Sequence, residues 1–171
     1  VIPMRPDRFP AQNVYEQAAQ NIAARLTAGD DVVVLCEGDP FFYGSFMYLF
    51  SRLAGDFETQ IVPGVSSLGA VTAAAKQPLC ARSDQVTILP ATLDEDELRN
   101  RLKGTQAAAI MKLGRHFAKA REVVNELGFG KRAVFVSHAS LPQQNVCPLA
   151  DAPDGAPYFS MILIPGEDAH V

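Results

Sequence analysis

Cysteine is scarce in this sequence, and its three thiols follow no recognisable pattern. Cys36, Cys80 and Cys147 are odd in number and far apart, and no two of them have CxxC spacing. This arrangement excludes a disulfide framework and a cysteine-based zinc site. We therefore predict a protein of a reducing, cytoplasmic compartment that holds no metal.

An excess of positive charge is also absent. The chain has 15 Lys and Arg residues against 19 Asp and Glu residues, which gives a formal net charge of −4. No basic block is present that would bind nucleic-acid phosphates by releasing counterions. We therefore expect no nucleic-acid partner.

Long apolar runs and export signals are lacking too. No stretch of about 18 uninterrupted apolar residues occurs, and the opening VIPMRPDRFP lacks the residue order of a signal peptide. Neither membrane insertion nor export is expected. Because the chain opens on Val1 rather than Met, we also expect it to be a fragment of a longer protein.

Several familiar catalytic signatures do not occur. The sequence contains no Walker A loop, GxSxG elbow, HExxH helix or GxGxxG fingerprint, so these motifs do not indicate an NTPase, an α/β-hydrolase, a zincin or a Rossmann dehydrogenase. What is present is 171 residues, 48% of them hydrophobic. That is enough to bury the core of one domain or of two small ones.

The first half of the chain predicts alternating helices and strands. Apolar residues at helical spacing predict a helix over residues 14–28, which Gly29 ends. Residues 32–36, VVVLC, are continuously apolar and predict a strand buried on both faces of a parallel sheet. The elements that follow are a helix over 44–53, a strand over 58–62, and a helix from Ser66 or Ser67 to Ala75.

A pause in the pattern at residues 78–84 predicts a linker, with an incomplete α/β domain over 1–80 and a second α/β domain over 85–171. Thr92 and Glu95 have capping-box spacing. The elements predicted for the second domain are strands over 86–89, 107–111 and 133–136, and helices over 94–103 and 117–127. Residues 144–164 contain the turn-rich DAPDGAP between two apolar runs, which predicts an antiparallel hairpin.

The segment CEGDPFFYGS is the most informative motif, because a predicted strand ends there in a Gly-Asp-Pro turn. Ligands of open α/β sheets bind at the carboxyl ends of strands. Gly38 lets a ligand approach the backbone, Asp39 can accept hydrogen bonds from a ribose or balance a positive charge, and the aromatics of residues 41–43 offer apolar walls. The alternative is an ordinary turn, with Asp39 as a helix cap and the aromatics in the core.

A second candidate is VPGVSSLGAVTAAAKQPL, in which Ser66 and Ser67 stand at the start of a helix of small residues. Helix N-terminal N–H groups suit a carboxylate or a phosphate. Tight packing of a slim helix on a sheet explains the small residues equally well. Two further positions carry less weight: Met111 at a strand end is more often core filler, and His138 is more often structural.

Five segments, taken in order, resemble the tetrapyrrole methylase family: CEGDPFFYGSF, VPGVSSLGAVTAAAKQPL, IMKLG, SHASLPQQ and PYFSMILIPG. The resemblance covers nearly the whole chain. The run EGDPFFYGSF and the Met-Lys strand end are similar to the branch that methylates carbon 20 of precorrin-2 or cobalt-factor-2, rather than to the uroporphyrinogen or diphthine branches.

The resemblance implies a two-domain α/β fold of mixed sheets with helices on both faces, usually homodimeric. It implies S-adenosylmethionine in a cleft between the domains, S-adenosylhomocysteine as the product, and no assigned catalytic side chain, because the meso carbon of the tetrapyrrole substrate is itself the nucleophile. By matched motif, the residues implied at the cofactor are Gly38, Asp39, Phe42, Ser66, Ser67, Met111 and the backbone near Ala139.

The sequence departs from the family at its start. The family begins with a strand and a GxGPGDPxLLT-like loop that closes the floor of the active site, and no such loop occurs here. We therefore expect this chain alone to bind S-adenosylhomocysteine poorly. Two alternatives stay open: another member of the family, such as a uroporphyrinogen or other precorrin methylase or a diphthine synthase, and a non-catalytic α/β binding module.

Overall fold

The computed structural model describes residues 12–169, which divide into two compact units. The first unit ends at Ser66 and the second begins at Ser67.

The predicted linker at residues 78–84 lies inside the second unit. The amide of Gly166 holds it there by donating to the carbonyl of Leu79 over 2.9 Å. Within the segment, the amide of Ala81 donates to the carboxylate of Asp84 over 2.9 Å. The predicted boundary between two domains stays a prediction.

Over its described residues, 12–66, the first unit contains two helices, α1 (Gln12–Thr27) and α2 (Phe46–Leu53). They pack against each other through one buried cluster, formed by Tyr15, Ala19, Leu49 and Leu53. The rings of Tyr15 and Tyr48 stack at a tilt, with their centroids 4.9 Å apart. Both helices were expected from their apolar spacing, and both are confirmed to within two residues at each end.

The two strands predicted in this unit do not form. Residues 32–36 and 58–62 belong to no strand pairing in the described part of the chain, and Val33, Leu35 and Val62 are 81%, 91% and 74% exposed. The prediction of a strand buried on both faces is therefore wrong for 32–36. A strand is stable only when neighbouring strands satisfy its N–H and C=O groups, and an apolar run does not reveal whether such neighbours are present.

The second unit contains a mixed five-stranded sheet. Its strands are β1 (Val86–Pro90), β2 (Ala107–Met111), β3 (Val134–Ser137), β4 (Asn145–Pro148) and β5 (Ser160–Ile164). Their order across the sheet is β1-β2-β5-β3-β4. β1 and β2 are parallel, whereas β5 runs antiparallel to both of its neighbours and β4 runs antiparallel to β3. The α/β class is confirmed by this unit.

Three helices accompany the sheet: α3 (Ser67–Ala75), α4 (Glu95–Leu102) and α5 (Phe117–Glu126). One buried cluster joins α4 and α5 to the strands, and its large side chains include Leu98, Leu102, Phe117, Ile110, Phe135 and Ile162. The rings of Phe117 and Phe135 meet at a centroid distance of 5.2 Å. This core holds rigid the strand ends that carry the predicted site residues.

The start of α4 corrects the predicted cap. The N-cap is Asp94, whose carboxylate accepts from the amide of Glu97 over 2.8 Å, and Thr92 lies two residues before it. Asp94 and Glu97 have the same spacing as Thr92 and Glu95, so the capping pattern is present but shifted by two residues. The carboxylate is the stronger acceptor for the unpaired N–H groups of the first turn.

The predicted hairpin over residues 144–164 is also wrong in its pairing. β4 and β5 are not neighbours: Val136 of β3 lies opposite Val146 of β4 on one side and opposite Met161 of β5 on the other. The antiparallel directions are as expected, but β5 crosses β3 and inserts beside β2. All five residues of β5 are buried, whereas β4 is an exposed edge, so burial of the apolar SMILI run decides the arrangement.

The three cysteines are free thiols, with Cys36 and Cys80 exposed and Cys147 half-buried. Within residues 12–169 no helix has the length and apolar character needed to cross a bilayer. The same residues contain no group of three or more His, Cys, Asp or Glu side chains able to hold a metal ion.

Candidate functional site

Asp39 belongs to a loop of the first unit, residues 38–44, which we call the aspartate loop. Its Oδ1 accepts hydrogen bonds from the backbone amides of Phe41 and Phe42 over 2.9 and 3.0 Å. Its Oδ2 accepts from the amide of Gly64 over 3.2 Å. The carboxylate thus bonds both to its own loop and to the Pro63-Gly64 segment, 25 residues further along the chain.

These donors keep Asp39 ionised. The amides of Phe41, Gly64 and Phe42 lower the pKa of the Asp39 carboxyl below its ordinary value of 3.8, against a smaller opposing effect of burial. Helix α2 starts only at Phe46 and has Ser45 as its N-cap. The interpretation of Asp39 as a helix cap is therefore wrong. Its carboxylate instead closes the turn of its own loop, by accepting from the amides of Phe41 and Phe42.

Two glycines let the aspartate loop and the Pro63-Gly64 segment approach each other. Gly38 has a φ of +86°, which favours glycine. A Cβ on Gly64 would overlap the carbonyl oxygen of Gly38 and lie 2.7 Å from its carbonyl carbon. Any side chain at Gly64 would therefore force the two loops apart.

The aromatic residues of the aspartate loop divide into two groups. Phe41 contacts α2, with its ring 5.1 Å from that of Phe50 and edge-on to it, but it is 42% exposed, so the prediction that it lies in the core is wrong. Phe42 is half-buried and makes an edge contact of 5.3 Å with Tyr43. Tyr43 is 46% exposed and has a φ of +55°, which is rare for a bulky residue. The exposed rings of the loop are therefore those of Phe41 and Tyr43, and Phe42 lies half-buried beside Tyr43.

Ser66 and Ser67 lie at the division between the two units. Ser66 is the last residue of the first unit, and Ser67 is the first residue of α3 and is exposed. Within α3 only Val71 is buried. The expected placement of the two serines at a helix start is confirmed, but their role as cofactor ligands stays a prediction.

In the second unit, Met111 is the last residue of β2 and is 8% exposed. Its carbonyl oxygen accepts a hydrogen bond from the amide of Ala91 over 2.7 Å. The next residue, Lys112, has a φ of +57°, so the chain turns sharply where the strand ends. Both the core interpretation and the cofactor interpretation of Met111 are compatible with this placement.

Ala139 lies in a tight turn directly after β3. Its neighbours His138 and Ser140 have φ values of +51° and +66°. The amide of Leu141 closes the turn by donating to the carbonyl of His138 over 2.9 Å. The amide of His138 also donates to the carbonyl of Phe159 over 2.8 Å, and the amide of Ser140 donates to the side chain of Gln144 over 2.8 Å. Left-handed residues that are not glycine cost free energy and concentrate at functional sites, so this turn is a candidate for ligand contact through its backbone.

Sheet topology brings Met111 and Ala139 to the same edge of the second unit. β2 and β3 both run antiparallel to β5, so they are parallel to each other and their carboxyl ends point the same way. One strand separates them, which corresponds to about 10 Å. In open α/β sheets the carboxyl-terminal edge is where ligands bind.

Two further residues at this edge were not predicted from the sequence. Tyr158 and Phe159 immediately precede β5, are 52% and 53% exposed, and meet edge-on at 5.1 Å. Phe159 also lies 6.4 Å from the ring of His138. The PYFS segment contained a signal, since two aromatics stood at the start of a strand, but only the sheet order places that start beside Ser137.

Comparison with known proteins gives the family. The sequence profile of the tetrapyrrole (corrin/porphyrin) methylases matches residues 1–153. The precorrin-2 C(20)-methyltransferase of Sinorhizobium sp. is 42% identical over 153 residues, covering 89% of this chain and 62% of that protein. The cobalamin biosynthesis protein CobIJ of Mycobacterium tuberculosis is 42% identical over 156 residues, covering 91% of this chain and 31% of that protein. This chain therefore spans less than two thirds of the length of either relative.

A more distant relative is the cobalt-precorrin-2 C(20)-methyltransferase of Salmonella typhimurium, 29% identical over 165 residues, or 95% of this chain and 70% of that protein. Among solved structures, the cobalt precorrin-4 methyltransferase CbiF has a TM-score of 0.73 at 24% identity, over 88% of this chain and 70% of that one. The uroporphyrin-III C-methyltransferase of Thermus thermophilus, complexed with S-adenosyl homocysteine, has a TM-score of 0.63 at 22% identity, over 89% and 73%. At these identities the structures are similar in fold.

Proposed function

The chain belongs to the tetrapyrrole (corrin/porphyrin) methylase family, and from that membership we propose that its protein methylates carbon 20 of precorrin-2 to give precorrin-3A. The methyl donor is S-adenosylmethionine, and the reaction is a step of cobalamin biosynthesis. The observation that carries this proposal is the 42% identity over 153 residues to the Sinorhizobium precorrin-2 C(20)-methyltransferase.

Identity also favours a metal-free substrate. The relative named for precorrin-2 is 42% identical to this chain, whereas the two relatives named for cobalt-precorrin-2 are each 29% identical. Cobalt-factor-2 or cobalt-precorrin-2 is therefore the second candidate substrate. A ring that carries cobalt differs from a metal-free ring in charge and in axial ligands, so binding assays can separate the two.

The chemistry of the aspartate loop fits S-adenosylmethionine, which carries a positive sulfonium and an adenine ring. Asp39 is an ionised carboxylate that supplies negative charge to the loop. Gly38 is exposed and allows close approach to the backbone, and the rings of Phe42 and Tyr43 offer faces that attract a cation or stack with a base.

We assign seven positions to the cofactor site. Gly38, Asp39, Phe42, Ser66 and Ser67 belong to the first two motifs, and Met111 and the backbone at Ala139 belong to the second unit. For the whole protein we propose a cofactor cleft between two domains. We also propose that the whole protein is a homodimer. The exposed thiols of Cys36 and Cys80 are compatible with a reducing cytoplasm.

When bound, S-adenosylmethionine supplies an electrophilic methyl group to the meso carbon of the reduced ring. The chain then has to orient the reactants and to exclude water. Good orientation is worth on the order of 7 kcal/mol or more. Apolar residues such as Phe42 and Met111 exclude water, and the backbone groups of Gly38 and Ala139 fix the cofactor. We assign no side chain to the proton released from carbon 20.

Incubation of the full-length protein with S-adenosylmethionine and a panel of tetrapyrroles tests the proposal. The panel contains precorrin-2, cobalt-precorrin-2 and uroporphyrinogen III, and product mass and NMR report the methylated carbon. We expect one methyl transferred to carbon 20 of precorrin-2, with slower transfer to the cobalt form. Transfer to uroporphyrinogen III alone would reassign the protein within the family.

A binding experiment addresses the alternative of a non-catalytic module. Calorimetric titration of the full-length protein with S-adenosylhomocysteine should give a saturable heat if the proposed cofactor site exists. No heat at any accessible concentration would favour a module with another purpose.

A further inference from the structure

Positive charge is concentrated where β2, β5 and β3 meet the carboxyl-terminal edge of the second unit. Residues 107–121, which include β2 and the turn after it, contain Lys and Arg but no Asp or Glu. Residues 133–150 and 155–166, which include β3 and β5, contain no Lys, Arg, Asp or Glu. The charged side chains that follow β2 most closely are those of Lys112 and Arg115, and both are exposed. The chain as a whole has a net charge of −4, so this positive charge is a local feature.

The charge of Arg115 is not neutralised within the second unit. Its Nε donates to Nε2 of His116 over 3.4 Å, and among residues 12–169 no ion pair includes it. Burial, together with the charges of Lys119 and Arg115, lowers the pKa of His116 below its ordinary value of 6.5, so the imidazole accepts this bond as a neutral ring. Lys119 itself donates to the carbonyl of Leu93 and is half-buried.

The acidic residues on the same edge follow β1, and they already have partners. β1 is parallel to β2, so its carboxyl end lies on this edge. The partners are as follows: Asp94 caps α4, Glu95 and Asp96 pair with Arg99, and Glu97 pairs with Arg101. An anion that approaches the end of β2 therefore meets cations that these carboxylates do not neutralise.

Two aromatic rings lie beside these cations. Ile110 of β2 lies opposite Ile162 of β5, so the end of β2 is next to the start of β5, which Tyr158 and Phe159 precede. About half of each ring is exposed to solvent. Half-exposed rings next to positive charge suit a flat ligand that carries negative substituents.

The proposed reaction requires the substrate to lie at this edge. Methyl transfer brings the meso carbon of the ring against the methyl group of the cofactor. The proposed cofactor positions of the second unit, Met111 and the backbone at Ala139, belong to the same edge. Side chains that border these two positions are therefore placed to contact the substrate as well.

We propose that Lys112 and Arg115 bind the carboxylate side chains of the tetrapyrrole substrate, and that Tyr158 and Phe159 lie against its ring. The acetate and propionate substituents of precorrin-2 make the periphery of the ring anionic. A guanidinium binds a carboxylate through two parallel hydrogen bonds, whereas an ammonium acts as a point charge. The assignment rests on the proposed function, which supplies the identity of the substrate.

Steady-state kinetics of the full-length protein is the first test. Arg115→Glu should raise the KM for precorrin-2 at least about fivefold, because it replaces an attraction by a repulsion, with kcat and the Kd of S-adenosylhomocysteine each changed by about twofold or less. Arg115→Lys keeps the charge and should restore most of the loss. The matched control is Lys131→Glu, a charge reversal at an exposed lysine that precedes β3 and so lies towards the opposite edge. An unchanged KM in Arg115→Glu, or an equal rise in Lys131→Glu, would overturn the proposal.

Direct binding of uroporphyrin III, an oxidised tetrapyrrole with the same acetate and propionate substituents, separates charge from ring contact. Fluorescence titration should show that the affinity of the wild type falls as ionic strength rises, and that Arg115→Glu reduces both the affinity and this salt dependence. Tyr158→Ala should weaken binding by a similar factor at low and high salt, because ring contacts are not screened. A loss in Arg115→Glu that does not depend on salt would contradict the role of its charge.

These measurements distinguish failure of this inference from failure of the proposed function. If the wild type transfers no methyl group to any tetrapyrrole, the proposed function fails, and the binding of uroporphyrin III alone then decides whether this edge takes an acidic tetrapyrrole. If the wild type methylates precorrin-2 and Arg115→Glu weakens S-adenosylhomocysteine as much as it raises the KM, the function stands. In that case Arg115 serves the cofactor, and the substrate assignment is wrong.

Discussion

The residues of the aspartate loop are held in place by backbone conformation and hydrogen bonds more than by burial. Gly38 and Tyr43 both have positive φ, and Asp39 is only half-buried yet bonds to three amides. Only an ionised carboxylate accepts all three bonds at full strength. The shape of this loop is therefore coupled to pH through one residue.

We predict that acid weakens the first unit through Asp39. Its folded-state pKa lies below 3.8, so in the interval between the two values the unfolded chain binds a proton that the folded chain does not. Stability from Asp39 is therefore fully present above about pH 4 and is lost as pH falls through the folded pKa. Urea unfolding of the wild type and Asp39→Asn, from neutral pH to about pH 3, measures this.

The difference in unfolding free energy between the two proteins should be largest near neutral pH and should shrink below about pH 4. Glu37→Gln is the control, because Glu37 is an exposed carboxylate in the same segment. A difference that stays constant across the whole range would contradict the prediction.

The sequence predicted the aspartate loop as a site but not what its carboxylate contacts. The Gly-Asp-Pro turn and its aromatics are local features, and local features can be recognised from residue types. The bond from Gly64 to Asp39 spans 25 residues and depends on how two turns meet in space. For the same reason, the exposure of Tyr158 and Phe159 beside His138 was not visible before the strand order was known.

At the scale of elements, the first turn of α4 gives a direct test of the shifted cap. Asp94→Ala removes the acceptor of the Glu97 amide and should lower the free energy of unfolding by about 1 kcal/mol. Thr92→Ala is the control, and we expect a change within about 0.5 kcal/mol. A larger loss for Thr92→Ala than for Asp94→Ala, measured by urea denaturation, would restore the original capping assignment.

All five α-helices that the structure describes were predicted from the sequence, α1 from apolar residues at helical spacing and α4 from its capping pattern, because both signals are local. The strands were harder to predict from the sequence. Residues 107–111 and 32–36 are both continuously apolar, but only the first forms a strand in the structure. The difference lies in their neighbours: β2 is paired on both sides by β1 and β5, and periodicity carries no information about a neighbour.

At the scale of the molecule, the second unit depends on its central strand. Ile162 is fully buried and lies opposite Ile110 of β2 and Phe135 of β3. Ile162→Ala should lower the free energy of unfolding by about 2 to 5 kcal/mol, through lost burial and the cavity left behind.

Val146→Ala, on the exposed edge strand β4, serves as the comparison and should change stability by about 0.5 kcal/mol or less. Equal effects of the two substitutions in thermal or urea unfolding would show that β5 is not the centre of the core.

Family membership could be recognised from five motifs in order, because those motifs are spread along the chain and each is specific. The topology of the sheet could not be predicted from the sequence. The sequence of apolar runs is equally compatible with a local hairpin at residues 144–164, and only the complete burial of β5 shows that a central position was favoured over pairing with the nearest strand.

The position of β5 has a consequence for how the second unit is made. A ribosome releases β1, β2, β3 and β4 before the segment that must stand between them, so the nascent chain first carries two separate ribbons, β1-β2 and β3-β4. Each ribbon offers an open edge until residues 160–164 emerge. Closure of the sheet is therefore a late, long-range event, and the interval before it is when the chain is most exposed to wrong partners and most dependent on chaperones.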